Sequence, residues 1–522
     1  MKKRRYRIFI AAVAILTTAA FAQENQKYLS LDDCIVRALE NNLNLAAEVL
    51  NPEIADLSVT RAGEKFLPLL SFGYSNRDTN TASYSFIDAA DQVRSTYTDY
   101  MVSFNQLIPT GGQVNISLSS YKNDTNRSFQ TINPRYGSTL TFDFVQPLLK
   151  NFGYKASRRE IIIAKNTRDI SENQFRQLLL ETIYSVERAY WNLAYSIDNL
   201  KVRRQSLQLA LDLLEENKRK IEVGTMPPIE IYTAEAEVAN QKADILAAEA
   251  LVRNNQDRLR RIINIPLDSE ENAKEILPSD KPKFDKREIT FEDALNTALE
   301  KRPDLEVIRI DLKTKKYNVR YANNQLLPEL NLQASYWSPG ISGDQILYLD
   351  DDPFTRVIVG TLPGPASDAL KEAFRFKYQN WSVGLVLNVP LNTILSRAAS
   401  AQAKLALEQA QWKLKDLEQE VILEIRTAMR NVETNYQRVQ AYRAARELAD
   451  KKLEAEQEKF RVGKSTNFFL LQYQRDAGDA RSAELRSLVD YVLSLADLDR
   501  VLGTTFETKN ITFSGISVKQ DS

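Results

Sequence analysis

The sequence predicts an α+β membrane protein in which long antiparallel helices are joined to four to six β-strands per chain, as a tandem structural repeat. Three observations indicate this fold class. The second half of the chain repeats the order of motifs in the first half. Two stretches of 70 and 72 residues contain neither glycine nor proline, and segments of alternating apolar and polar residues precede both stretches.

The composition excludes several kinds of chemical site. The chain has 522 residues, no histidine and one cysteine, so it cannot form a histidine-based triad, a histidine-ligated zinc site or an internal disulfide. It also lacks a glycine-rich phosphate loop and a nucleophile elbow. We therefore predict no catalytic residue, no metal site, no cofactor and no enzyme activity, although catalysis by paired carboxylates needs no histidine and stays open.

Residues 1–22 have the pattern of a cleaved secretory signal peptide. Five basic residues precede the unbroken apolar run from Ile8 to Leu16, and Ala20-Phe21-Ala22 forms a cleavage site. The apolar run is short for a membrane helix, and an uncleaved N-terminal anchor is the alternative. Removal of residues 1–22 leaves 64 basic and 69 acidic residues, a net charge of −5, so we predict no nucleic acid partner.

Residues 29–70 align without a gap with residues 289–330, at an offset of 260. Both segments open with the S/T-x-x-D pattern that starts a helix, at Ser30 and Thr290. Leu67-Pro68 corresponds to Leu327-Pro328, where the apolar period changes from 3.6 to 2 and indicates a strand. The predicted domains are the signal peptide at 1–22, repeat 1 at 23–265, a linker at 266–288, repeat 2 at 289–503 and a polar C-terminal tail at 504–522.

Each repeat contains the same series of elements. In repeat 1 we predict helices within 31–66, strands within about 70–147, a long helix at 154–223 and a return helix at 229–265. In repeat 2 we predict helices within 291–327, strands within about 330–389, a long helix at 391–462 and a return helix at 464–502. Apolar residues spaced 3, 4, 3, 4 along the long helices indicate coiled-coil packing over roughly 100 Å.

The alternating segments are compatible with membrane strands and with half-buried strands of a soluble sheet, because both have a period of two. The chain must enter and leave the strand region on one side, so each repeat requires an even number of strands. Repeat 2 contains two, and repeat 1 contains two or four, depending on whether the hairpin at 98–121 joins the sheet. So few strands cannot close a barrel, and an open edge cannot lie in lipid, so three copies would give 12 or 18 strands.

These features resemble the TolC-like outer-membrane efflux and secretion channels, the outer membrane factors. The resemblance covers essentially the whole chain after residue 22. It rests on the tandem repeat, the Leu-Pro switches, the Val-Gly turns and the strand ends Val145-Gln146-Pro147-Leu148 and Asn388-Val389-Pro390-Leu391. It implies a homotrimer in outer-membrane lipid, with one shared β-barrel, a periplasmic α-barrel of long helices, and an equatorial region that includes 266–288 and 504–522.

The resemblance also implies partners and a function. The partners are a periplasmic adaptor (membrane fusion) protein and an inner-membrane transporter of the RND, ABC or MFS type. The implied function is a passive conduit from the periplasm to the exterior, as the exit duct of a tripartite efflux or type I secretion system. A competing interpretation is a structural periplasmic coiled-coil or adaptor protein without a membrane pore, but such a protein would lack paired amphipathic strands in both repeats.

Two groups of site residues follow from the resemblance. The adaptor-docking tips are expected at the two helix-reversal turns, although a helix C-cap alone also explains their glycines: Val223, Gly224, Thr225, Val462, Gly463 and Lys464. The tunnel-entrance candidates are Glu230, Phe469 and Gln472. Three copies of Glu230 would form an acidic ring that favours cations, or Glu230 lies on a solvated helix face. Phe468 and Phe469 form either an apolar constriction or an ordinary helix contact.

Overall fold

The computed structural model describes residues 26–83, 88, 91–266, 269, 274–355 and 357–511. The predicted signal peptide at 1–22 and the part of the predicted tail after residue 511 lie outside the described residues. In chain order the elements are β1 (Gln26–Leu29), α1 (Leu31–Asn41), α2 (Leu43–Glu48), α3 (Leu50–Gly63), β2 (Leu69–Ala82), β3 (Gln92–Leu107), β4 (Gln113–Thr125), β5 (Ile132–Pro147), α4 (Tyr154–Ser157), α5 (Arg159–Glu222), α6 (Ile229–Ile262), β6 (Glu275–Pro278), α7 (Phe291–Lys301), α8 (Pro303–Asn324), β7 (Glu329–Tyr348), β8 (Ile358–Leu362), α9 (Ala366–Phe374), β9 (Asn380–Asn388), α10 (Ile394–Arg461), α11 (Asn467–Leu502) and α12 (Thr505–Thr508).

The chain divides into two compact units. The first, a helical unit, comprises Met1–Glu53, Asp169–Ile310 and Trp412–Ser522, and the second, a sheet unit, comprises Ile54–Arg168 and Asp311–Gln411. Among the described residues, no helix is both long enough and apolar enough to cross a membrane.

The two helical ranges that were predicted to precede the strands are each divided into shorter helices. The range 31–66 contains three α-helices and a short 3-10 helix. Asn42 is extended and separates α1 from α2, and its side-chain oxygen accepts hydrogen bonds from the backbone N–H groups of Asn44 and Leu45, at 2.9 and 3.2 Å. The range 291–327 contains two helices. Arg302 is extended there because Pro303 disfavours a helical conformation in the residue before it.

The two long helices begin later than predicted. α4 and α5 are separated at Arg158, so the uninterrupted helix starts at Arg159 instead of 154, and α10 starts at Ile394 instead of 391. At 1.5 Å per residue, α5 is roughly 96 Å long and α10 roughly 102 Å. The return helices also differ, since α6 ends at Ile262 instead of 265 and α11 begins at Asn467 instead of 464.

The core of the helical unit contains the predicted apolar stripe of α5. Ile183, Val186, Tyr190 and Leu193 are buried there against residues of α1, including Cys34. Burial raises the pKa of the Cys34 thiol to about 12.

The linker takes part in a small sheet that the sequence analysis did not predict. β1 pairs in parallel with β6, which lies within 266–288. The Tyr190 hydroxyl lies 2.8 Å from Asp280 Oδ2 and 3.1 Å from the carbonyl oxygen of Leu29. Asp280 Oδ2 also accepts a hydrogen bond from the backbone N–H of Leu31, at 2.7 Å. The linker therefore fastens the start of the described chain to α5.

Residues 504–511, the described part of the predicted polar tail, are folded. Thr504 and Thr505 are buried, residues 505–508 form α12, and Phe506 and Ile511 pack against the core of the helical unit. Lys509 forms an ion pair with the buried carboxylate of Glu187. This segment is folded because its few apolar side chains and one cation find partners far away in sequence.

Within the described residues, the sheet unit contains a seven-stranded antiparallel sheet. Its order is β2-β3-β4-β5-β7-β8, and β9 also pairs with β7. The hairpin at 98–121 joins the sheet through β3 and β4. The sheet has one strand more than the predicted maximum of six, because β7 extends to Tyr348 and its far end pairs with the short strand β8. α9 lies between β8 and β9 in the chain.

One face of the sheet is apolar and the other is polar. The register places on one face, called here the apolar face, the side chains of Leu70, Phe72, Tyr74, Tyr100, Val102, Phe104, Ile116, Leu118, Leu140, Phe142, Leu332, Tyr336, Trp381, Val383, Leu385 and Leu387. On the opposite face, Asp143 accepts hydrogen bonds from Asn115 Nδ2 at 3.2 Å and from the Ser335 hydroxyl at 2.6 Å.

Candidate functional site: the helix-reversal turns

The first predicted tip is a tight turn between α5 and α6. Gly224 has φ +77°, and its N–H donates to the carbonyl oxygen of Ile221 at 2.9 Å. The N–H of Thr225 donates to the carbonyl oxygen of Lys220 at 2.8 Å. A Cβ at Gly224 would have no heavy atom within 4 Å, so the left-handed backbone, not crowding, requires glycine here.

The second predicted tip repeats this geometry between α10 and α11. Gly463 has φ +75°, and its N–H donates to the carbonyl oxygen of Phe460 at 3.1 Å. The N–H of Lys464 donates to the carbonyl oxygen of Lys459 at 2.8 Å. Val223 and Val462, directly before the glycines, are 72% and 63% exposed, and Thr225 and Lys464 are exposed as well. Each turn thus presents an apolar side chain to solvent.

Packing between the helices supports the two turns. Behind them, Leu213 of α5 belongs to the same buried cluster as Leu453 and Phe460 of α10 and as Leu470 and Leu471 of α11. The Lys220 ammonium lies 4.0 Å from the centre of the Phe460 ring, which is a favourable cation–π contact. The C-terminal ends of α5 and α10 are therefore held together by apolar packing and by the cation–π contact between Lys220 and Phe460.

The tunnel-entrance candidates have different environments. Glu230 is half-buried in the first turn of α6 and accepts a hydrogen bond from Asn467 Nδ2 at 2.9 Å. Phe468 and Phe469 are exposed and contact each other edge to face, with ring centres 5.6 Å apart, and the centre of the Phe469 ring lies 6.5 Å from that of Tyr473. Gln472 is exposed. The structure thus brings Glu230 to the first residue of α11, whereas Phe469 and Gln472 face solvent within this chain.

Two polar contacts that support the second turn were not predicted from the sequence. Ser465 donates a hydrogen bond to the carboxylate of Glu456, and Lys459 Nζ lies 3.2 Å from the same carboxylate. These contacts lower the pKa of Glu456, the Ser465 hydrogen bond most of all. Asn467 is only 2% exposed. Thr466 is the N-cap residue of α11, but its side chain makes no capping hydrogen bond, so the start of this helix is held by the contacts of its neighbours Ser465 and Asn467.

Long helices, reversal turns and an amphipathic sheet are the elements expected of an outer-membrane channel of the kind that the sequence resembles. The model of the outer membrane efflux protein family matches residues 89–264 and 294–504. The chain belongs to this family, whose members are channel proteins rather than enzymes.

Individual relatives agree with this assignment. The chain is 23% identical to outer membrane protein TolC of Vibrio cholerae over 338 residues, and this alignment covers 65% of this chain and 71% of that protein. It is 21% identical over 371 residues to the alkaline protease secretion protein AprF of Pseudomonas aeruginosa, covering 70% of this chain and 68% of that protein. The resemblance inferred from the sequence is confirmed, and the protein is an outer-membrane efflux or secretion channel.

Solved structures share the fold at low sequence identity. The outer-membrane channel OprN matches with a TM-score of 0.64 and 16% identity, over 96% of this chain and 98% of that chain. The CmeC outer membrane channel of Campylobacter jejuni matches with a TM-score of 0.61 and 17% identity, over 91% of this chain and 86% of that chain. The helix-rich architecture with a β-sheet is therefore that of known outer-membrane channels.

Proposed function

We propose that three copies of this chain form one continuous duct that opens from the periplasm to the exterior. The long helices of the three copies line a periplasmic tunnel, and their sheets form one transmembrane β-barrel in outer-membrane lipid. The duct is passive, and it works with a periplasmic adaptor protein and an inner-membrane transporter of the RND, ABC or MFS type. It serves a tripartite efflux system or a type I secretion system.

The open sheet is the observation that carries this proposal. β2 forms one edge and β9 the opposite edge, and nearly every residue of these two strands is exposed. In lipid an unsatisfied backbone polar group costs several kcal/mol, so both edges require partners. Pairing β9 of one copy with β2 of the next satisfies both edges. Six long strands per copy give 18 strands, and the short strand β8 stays outside the count because it pairs only with the far end of β7.

The tandem repeat predicts a register between copies. Gln146-Pro147-Leu148 corresponds to Val389-Pro390-Leu391, so β9 corresponds to β5, and β2 corresponds to β7. Pro147 pairs with Asn331 within the chain, and the equivalent pair between copies is Pro390 with Ser71. Continuing this register places Leu387 opposite Tyr74 of the next copy. It also places Asn380, where β9 begins, opposite Thr81, next to the last residue of β2.

Disulfide trapping tests both the trimer and its register. The variant carrying Tyr74→Cys and Leu387→Cys is expected to give a covalent trimer on a non-reducing gel, because opposed Cβ atoms lie about 4.5–5.5 Å apart. The matched control carries Tyr74→Cys and Val383→Cys, which are on the same face but four residues out of register, beyond the reach of a disulfide. Trapping of the control alone would refute the register. A monomer recovered from the periplasm without detergent would refute the channel and favour an adaptor-like protein.

The helix-reversal turns are the proposed adaptor-docking tips, and Glu230, Phe469 and Gln472 are the proposed tunnel entrance. Exposure of Val223 and Val462 at matching positions supports docking, because buried apolar anchors supply much of the energy at protein interfaces. Because Glu230 is engaged by Asn467, we assign it a positioning role at the entrance as well as a negative charge.

A further inference from the structure

A segment directly before the start of β9 folds over the apolar face of the sheet. This rim segment, residues 366–378, contains α9 and the four residues after it. Ala369 and Ala373 of α9 are fully buried. A Cβ at Gly340 of β7 would lie only 2.0 Å from the carbonyl oxygen of Ala369, so glycine at this position allows the helix to lie directly against the strand.

Aromatic contacts fix the face on which the rim segment lies. The ring of Phe376 is centred 6.4 Å from that of Phe142 and 5.8 Å from that of Tyr336. Both partners belong to the apolar face, and Tyr336 pairs with Trp381 at the beginning of β9. β9 has nine residues, about the length of a membrane strand. In the proposed channel, the rim segment therefore lies beside the boundary of the part of the sheet that contacts lipid.

The outer side of the rim segment combines apolar and basic groups. Phe374 is 53% exposed and Tyr378 is 50% exposed. The cations of Lys371, Arg375 and Lys377 are also exposed. Lys371 lies 3.0 Å from Asp368 and Lys377 pairs with Glu372, which leaves a net charge of +1 over 366–378. Exposed aromatic residues next to basic residues are typical of helices that lie in a membrane interface.

We propose that the rim segment binds the phosphate groups of anionic lipids in the outer leaflet. Phe374 and Tyr378 insert among the acyl chains, and Arg375 contacts the phosphates. The apolar face continues from Leu385 through Trp381 to the rim segment, which argues for lipid and against a second protein as the occupant. This inference rests on the proposed function, because it requires the apolar face to contact lipid.

A fluorescence experiment on the full-length trimer in vesicles tests the proposal. An environment-sensitive label is attached at Phe374→Cys, and quenching by brominated phosphatidylglycerol is compared with quenching by brominated phosphatidylcholine. We expect stronger quenching by the anionic lipid, and Arg375→Gln should reduce that preference about fivefold at low ionic strength. A label at Phe354→Cys is the matched control. This aromatic residue is 77% exposed outside the rim segment and should remain accessible to aqueous quenchers.

A third label separates this proposal from the channel itself. A label at Leu385→Cys, in β9, should be quenched by both lipids if the sheet contacts the membrane. Quenching at 385 without quenching at 374 would overturn the lipid site and leave the channel intact. Absence of quenching at both positions would overturn the proposed function. A 374 label that is shielded in detergent and insensitive to lipid would mean that another copy covers the rim segment, which also overturns the proposal.

Discussion

Asn467 donates its side-chain amide to the carboxylate of Glu230 at 2.9 Å, and this hydrogen bond joins the first turns of the two return helices, α6 and α11. Asn467 is buried, and within the described residues its Oδ1 has no hydrogen-bond partner. The amide therefore depends on Glu230. This dependence links one of the tunnel-entrance candidates to the stability of both turns.

Removing the acceptor should destabilise the tip. We expect Glu230→Ala to cost about 1–3 kcal/mol, because a buried amide then lacks a partner, whereas Glu230→Gln should cost less because it keeps an acceptor. Hydrogen exchange at residues 223–232 and 462–470 measures the effect. The exposed Gln472→Ala is the control. Equal exchange rates in Glu230→Ala and the control would contradict the assigned positioning role.

The two turn glycines should tolerate no side chain. Gly224→Ala and Gly463→Ala should each cost roughly 1–2 kcal/mol, because an L-residue is strained at these positive φ angles. Gly63→Ala is a matched control, since Gly63 lies in α3 with φ −80° and nothing within 4 Å of an added Cβ. That variant should be neutral or more stable by up to about 1 kcal/mol. Denaturant unfolding of the purified proteins would show whether the three variants rank in this order.

A charge at either tip should weaken adaptor binding. Val223→Asp and Val462→Asp each replace an exposed apolar side chain with a carboxylate that resists burial, and a loss of about 2 kcal/mol is expected if the valines are anchors. Pull-down of the adaptor, with trimer content measured in parallel, checks this. Leu246→Asp changes an equally exposed apolar residue in the middle of α6 and should have no effect. Undiminished adaptor capture by the double variant Val223→Asp/Val462→Asp would exclude the turns as the docking site.

Stability should depend on pH through Glu187. Burial raises the pKa of this carboxyl above its ordinary value of 4.5, although Lys509 opposes the shift. The folded state therefore binds the proton more tightly than the unfolded state, and ionisation of Glu187 weakens folding as pH rises from that value to the higher pKa of the folded state, above which the effect is constant. The variant Glu187→Gln cannot ionise, so its thermal midpoint minus that of the natural protein should increase from pH 5 to pH 7. The exposed Glu222→Gln should show no such trend, and a difference that decreases with pH would mean that the Lys509 ion pair dominates.

The elements set by local rules could be predicted from the sequence. The absence of glycine and proline located α5 and α10 to within a few residues, and Gly224 and Gly463 located both reversals, since a left-handed backbone is a local requirement. Strand alternation identified β7 and β9 and left the 98–121 hairpin open.

Features that depend on contacts distant in sequence could not be predicted. β1 and β6 have four residues each and no periodic signal, and they pair across roughly 250 residues of chain. The segment before α9 has the proline and glycine content of a loop, and α9 is held by small residues that fit against Gly340. The partner of Glu230 is 237 positions away, so no local pattern indicates that this carboxylate is hydrogen-bonded.

The deeply buried thiol of Cys34 has a practical consequence. With a pKa near 12 it is almost entirely protonated at neutral pH, and maleimide and methanethiosulfonate reagents act on accessible thiolates. The single natural cysteine should therefore react little with thiol-directed spin labels and fluorophores. Distances along the channel can be measured with introduced cysteines, without first replacing this core residue.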